Sequence, residues 1–184
     1  MRKALLLAAL LALLVPACSS APGPAGGERT LFQIAMIGVD EHGPDPFGKV
    51  ADVQVPEIYN QSDSTVRVTA VRLLDPPKGV RLVSVTAYPQ VPEYGAQEFG
   101  ASGDLAKECP KFYPSPHQVS AAVTAPHAYS DWTVMLALQF SKPGRYYLSQ
   151  IRINYLADGK PGWQDQNLHL TIYEIRGFNN GSPC

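Results

Sequence analysis

The sequence predicts an all-β fold, a β-sandwich of about eight strands, on three observations. No stretch after residue 18 carries a convincing amphipathic helical period. Segments such as "VRVTAVRLL" (66–74) and "RYYLSQIRINYL" (145–156) alternate apolar and polar residues instead, which puts one face in a core and the other in water. Turn clusters separate these segments, supplied by 17 prolines and 15 glycines, the punctuation of sandwiches and barrels.

The chain opens with Arg2 and Lys3, followed by "ALLLAALLALLV" (4–15), and turns polar after Pro16, Ala17 and Cys18. A basic start, a short apolar run and small residues at the exit describe a secretory signal peptide, residues 1–17. The apolar run is 12 residues long, short of the roughly 17–25 that span a bilayer. Residues 19–30, "SSAPGPAGGERT", are small, Pro/Gly-rich and poor in apolar groups. They bury too little surface to offset the entropy of ordering and read, with Cys18, as a flexible tether over 18–30.

The folded domain is expected over 31–184. Its strands begin with "LFQIAMIGV" (31–39), bounded by the acidic loop "DEHGPDPFG" (40–48). "VADVQVPEIYN" (50–60) is interrupted by Pro56, which marks an edge strand or a bulge. "NQSDS" (60–64) is a turn. In "VRVTAVRLL" the apolar register shifts at Ala70–Val71, which a β-bulge would reconcile. After the turn "DPPKG" (75–79) comes the strand "VRLVSVTAY" (80–88). Residues 89–116 lack strand periodicity, with at most a helical turn at "SGDLAKE" (102–108). This connection is long against typical loops of about 4–6 residues, so it is expected to be functional or held down. Strands resume at "HQVSAAVTA" (117–125), "WTVMLALQF" (132–140) and, past "SKPG", at "RYYLSQIRINYL". A turn "ADGKPG" (157–162) leads to the last strand, "NLHLTIYEI" (167–175).

"VPAC" (15–18) resembles the processing site of a bacterial lipoprotein precursor. Val15 is an accepted variant there, Ala17 matches and Pro16 departs from the pattern. The resemblance implies cleavage after Ala17 and acylation of Cys18, which anchors the protein on the extracytoplasmic face of the cell membrane; more than one acyl chain suffices for stable anchoring. Ordinary signal peptidase cleavage, leaving a free thiol, is the alternative. With Cys18 acylated, Cys109 and Cys184 remain, and an even remainder in an exported protein reads as a disulfide. That bridge would tie the C-terminus to the long connection and contribute roughly 4–5 kcal/mol in the chain-entropy model. Unpaired thiols are the other reading, and no CxxC or HxxxH spacing accompanies them for zinc.

"WTVMLALQF-SKPG-RYYLSQIRINY" resembles strands E and F of an immunoglobulin-like sandwich. In such folds a Gly/Pro corner precedes a tyrosine whose hydroxyl bonds back to the backbone, a place that Tyr146 occupies. Ile151, Ile153 and Tyr155 would then face the core, with Arg152 and Asn154 opposite. The cysteines and tryptophan of antibody domains are missing from their positions, so the resemblance is one of architecture. "NxSDxxVxVxxVRL" (60–73) and "KPGxY" (142–146) further resemble segments of uncharacterised lipoproteins of high-GC bacteria, a likeness that implies no activity.

Removing Arg2 and Lys3 from 15 basic residues leaves 13 against 16 acidic ones, a formal charge of −3, which argues against nucleic acid as a partner. No GxSxG or SxxK motif supplies a nucleophile with its base. His42 lies in a predicted turn, His117 and His127 flank a predicted strand, and His169 is expected to face outward between Leu168 and Leu170. Met36 and Met135 read as core filler and not as copper ligands. Asp40, Glu41 and Asp45 do not follow the calcium-loop spacing and read as solvated acids. The expectation is therefore a non-catalytic protein without a cofactor, working by binding. The leading partner is an envelope protein, met through the loop 89–116 with Tyr94 and Phe99 and through the turn around Trp163. The alternative is a carbohydrate or cell-wall ligand stacked on Trp163. An exposed row of aromatics with amides would favour the glycan, and an apolar patch without amides the protein.

Overall fold

The structure, a computed structural model, describes residues 32–34, 40–43, 50–55, 58–90, 110–111, 113 and 115–174. Cys18, Tyr94, Phe99, Cys109 and Cys184, and with them the tether and most of the long connection, lie outside the described residues. Among the described residues the fold is all-β. Twelve strand segments and one short 3-10 turn follow one another without an α-helix. They are β1 (Phe32–Ile34), β2 (Asp40–Gly43), β3 (Val50–Gln54), β4 (Ile58–Asn60), β5 (Val66–Leu74) and β6 (Val80–Pro89), then β7 (His117–Gln118), β8 (Val123–Thr124), β9 (Ala128–Tyr129), β10 (Trp132–Phe140), β11 (Gly144–Ala157) and β12 (Lys160–Glu174).

Two larger sheets enclose a common core, with strand orders β3-β10-β6-β7 and β2-β12-β11-β5-β8. A small third sheet, β1-β4-β9, adjoins the first. Val55 N–H donates to Val134 O at 2.8 Å, and Ser130 N–H donates to Ile58 O at 2.8 Å. Among the described residues the strand pairings are antiparallel except β2 on β12, which is parallel.

The core draws alternate residues from both sheets. Val53 and Val55 from the β3 segment and Leu136, Leu138 and Phe140 from β10 meet Val66, Val68 and Val71 from β5 and Ile151 and Ile153 from β11. Each such apolar side chain contributes about 1.5–3 kcal/mol when fully buried. Ile151, Ile153 and Tyr155 share the buried face as the alternation predicted. Met135 is buried too, but between Leu136 and Val134 it takes the opposite face of β10, where Ala137, Tyr88 and Tyr113 are also buried. Tyr88 and Tyr113 meet edge to face at 5.1 Å, so the returning end of the long connection packs against the outside of the four-stranded sheet.

Three bulges let long strands keep an apolar face. On β5 the pairing steps from Asn154↔Ala70 to Tyr155↔Val68, leaving Thr69 unpaired; this is the predicted bulge, one residue earlier than the sequence placed it. On β6, Val83 is skipped and stands exposed. On β12 the step from Leu148↔Leu170 to Gln150↔Asn167 accommodates an extra residue, and His169 takes a left-handed φ of 45°.

Several loops sort differently from their sequence patterns. "DEHG" is strand β2, so His42 lies in a strand and not in a turn; its pairing partner is β12, some 130 residues later, which no local pattern reveals. "HQVSAAVTA" is two short strands around the 3-10 turn Val119–Ala121, with β7 on β6 and β8 on β5, so this segment crosses from one sheet to the other. The hairpin turn needs only Asp158 and Gly159, with φ of 48° and 78°, the left-handed pair that a two-residue turn demands. Lys160 to Gly162 therefore belong to β12, and Trp163 sits within a strand, not in a turn. Pro161 is tolerated because this stretch of β12 is a sheet edge beyond its pairing with β11.

Candidate functional site

The outward face of β5, β11 and β12 gathers the most chemistry among the described residues. Antiparallel pairing and period-two alternation bring polar side chains of β11 opposite those of β12, rung by rung. At one end Asn154 pairs with Trp163. Next, Arg152 grips Asp165 with both forks, Nε to Oδ1 at 2.6 Å and Nη2 to Oδ2 at 2.7 Å. Arg152 also lies over the Trp163 ring, 4.0 Å from its centroid. Trp163 and Asp165 can both reach Arg152 because residues two apart on a strand share a face.

Beyond this rung Gln150 Nε2 donates to Asn167 Oδ1 at 2.9 Å. Past the bulge, the Tyr147 hydroxyl and His169 Nδ1 are 2.5 Å apart. The left-handed His169 backbone keeps this ring outward, as expected from its flanking leucines, and in reach of Tyr147. At the far end Arg145 lies over the Tyr173 ring at 5.5 Å. Tyr147 is 48% exposed, the most open of the aromatics on this face, whereas Trp163 is half-buried.

The third strand adds charge. Arg72 of β5 stands directly opposite Arg152. The hydrogen bonds from Arg152 hold the Asp165 carboxyl below the usual carboxylate range, with further help from the positive charge of Arg72. In return, the bond to Asp165 raises the Arg152 guanidinium.

The remaining sequence candidates are scattered. His117 meets the edge of Trp132 at 5.2 Å on the four-stranded sheet. His127 bonds exposed Asp63 at 2.8 Å beside the Asn60 turn. No group of three or more His, Cys, Asp or Glu side chains positioned for a metal occurs among the described residues. Of the predicted surface residues, Trp163 is part of the ladder, while Tyr94 and Phe99 lie outside the described residues. Sequence reasoning missed Tyr147, Gln150, Asp165 and Asn167 as partners. Their signal was the outward parity of "RYYLSQIRINYL" together with a strand reading for "KPGWQDQN", obscured because Pro and Gly made the latter look like a turn.

No protein-family model matches the chain, and no curated protein matches it. Among solved structures the chain is similar to the VesB protease of Vibrio cholerae at 9% identity and a TM-score of 0.35. That match covers 78% of this chain and 32% of the protease, so the chain spans about a third of that protein's length. A likeness of this size assigns neither fold nor activity.

Proposed function

We propose that the protein is a non-catalytic, extracytoplasmic lipoprotein, anchored through acylated Cys18, whose immunoglobulin-like domain binds envelope carbohydrate on the outward face of β5, β11 and β12. The observation that carries the glycan reading is the row on that face. Exposed Tyr147 stands next to the Gln150–Asn167 amide rung, and half-buried Trp163 stands beside Asn154. An exposed aromatic ring beside amides suits a sugar ring and its hydroxyls. Because Arg152 covers one face of the Trp163 indole, the stacking platform moves from Trp163 to Tyr147.

The immunoglobulin-like assignment draws support from strand order. With β3 and β4 as strand B, β5 as C, β6 as D, and β10, β11 and β12 as E, F and G, the sheets read B-E-D and G-F-C. Tyr146, near the start of strand F, donates its hydroxyl proton to Lys142 O at 2.5 Å, the tie of a tyrosine corner. A Cys109–Cys184 disulfide belongs to the exported, lipid-anchored reading, in which acylation of Cys18 leaves these two cysteines.

Retention of the full-length protein on insoluble envelope polysaccharide tests the glycan reading. Tyr147→Ala is expected to weaken retention several-fold; equal retention of both proteins would exclude this face. Labelled palmitate on the wild type and none on Cys18→Ser is the result expected of the anchor, and an unlabelled wild type refutes it.

A further inference from the structure

We propose that the glycan taken by this face is acidic, a sugar chain bearing carboxylate or phosphate groups, with Arg72 and Arg145 as its anion contacts. The inference rests on the glycan reading above and goes beyond it to the charge of the ligand. Among the described side chains the face carries four guanidiniums, Arg67, Arg72, Arg145 and Arg152, against the single carboxylate of Asp165. The chain without residues 1–17 has a formal charge of −3, so this positive field runs against the sign of the molecule, and charge segregated in this way selects for ligands of the opposite sign.

The four arginines are not equivalent. Arg152 is committed to Asp165 and Trp163. Arg67 Nη1 donates to Ser120 O at 2.8 Å. Arg72 is exposed and stands directly opposite Arg152, while both Asp165 oxygens are engaged by Arg152. Like charges directly opposite one another on a sheet are destabilising, and one shared carboxylate relieves only part of that repulsion. An anion bridging Arg72 and Arg152 would relieve the rest. Arg145 is exposed at the other end, with its guanidinium over Tyr173. The planar fork of each guanidinium matches the two oxygens of a carboxylate or phosphate.

Arg145 and Arg152 are seven residues apart on β11, roughly 20 Å along the strand. Tyr147 and the Gln150–Asn167 rung lie between them. Anion contacts at both ends of a neutral aromatic and amide platform fit a polymer of sugars and not a lone anion. The amides and the tyrosine, which serve hydroxyl groups, favour a sugar backbone over a nucleic acid.

The test measures binding of the full-length protein to two matched pairs of polymers. Polygalacturonate is compared with its fully methyl-esterified form, and phosphomannan with mannan. The expected result is binding to polygalacturonate or phosphomannan that weakens as salt is raised, that is about tenfold or more weaker for the neutral counterpart, and that falls about tenfold for Arg72→Gln. The same charge change at Arg81→Gln, on the four-stranded sheet, should leave it unchanged. Which acidic polymer binds identifies the anionic group. Equal binding of acidic and neutral polymers overturns the acidic assignment and leaves the glycan reading standing. Binding of none of the four overturns both. An oligothymidylate that binds as tightly as the acidic polymers overturns the sugar assignment.

Discussion

At the scale of single residues, Asn60 shows how one buried polar group organises a turn. Its side chain is fully buried. Nδ2 donates to Ser64 O at 2.8 Å, Ala125 O at 2.9 Å and Thr124 O at 3.3 Å, while Oδ1 accepts from Ser62 N and Ser62 Oγ. The "NxSD" pattern is thus a local turn plus a long-range staple onto residues 124–125. Asn60→Ala removes these bonds, including the buried one to Thr124 O, and is expected to cost about 1–3 kcal/mol in urea unfolding. Asp165 makes a prediction with a sign. Its folded carboxyl is held below the usual range by Arg152, whereas the unfolded value lies near ~3.9. Its contribution is therefore present above about pH 4 and is lost as pH falls through the lower folded value. Asp165→Asn should flatten the acid limb of the stability profile; a limb of unchanged slope would rule out this linkage. Tyr113 acts at the other extreme. Burial, then Tyr88 and Asp52, raise its phenol, so stability falls as pH rises above the unfolded value near ~10.

At the scale of elements, the β11–β12 hairpin explains why strand periodicity was legible and strand ends were not. "VRVTAVRLL" and "WTVMLALQF" match β5 and β10 residue for residue, because alternation against a core is written into each strand. The start of β12 was hidden by Pro161 and Gly162, residues that normally signal turns. Gly162 is there for a packing reason: a Cβ on it would come within 2.5 Å of the Tyr155 ring, which lies across the glycine from the neighbouring strand. Gly162→Ala should destabilise the protein by about 1–3 kcal/mol through overpacking, and Tyr155→Leu in the same chain should recover part of that loss in a thermal or urea transition. Additive losses would show that the two residues do not share this contact. The outward ladder was only half visible for the same reason. Arg152 and Asn154 were assigned outward from β11, but their rung partners on β12 appear only once residues 160–166 are read as strand.

For the whole molecule, the shared core predicts cooperative unfolding. Ile153, fully buried at the centre of the larger sheet, should cost about 2–5 kcal/mol as Ile153→Ala. The proposed Cys109–Cys184 bridge makes a prediction of its own. Denatured without reductant, the chain should show neither thiol reactive, and reduction should remove up to roughly 4–5 kcal/mol; two reactive thiols would refute the pairing. The sequence by itself determined the all-β class, the central strands, the bulge in β5 and the outward placing of His169. These follow from side-chain alternation, turn chemistry and residues close in the chain. Only the tertiary structure decided that β2 joins β12, that residues 117–124 cross between sheets, and that Arg72, Arg152, Asp165 and Trp163 meet on one face. Those contacts depend on strand register between segments far apart in sequence, and register is set by how the two sheets bury their common core, not by the local pattern of any one strand.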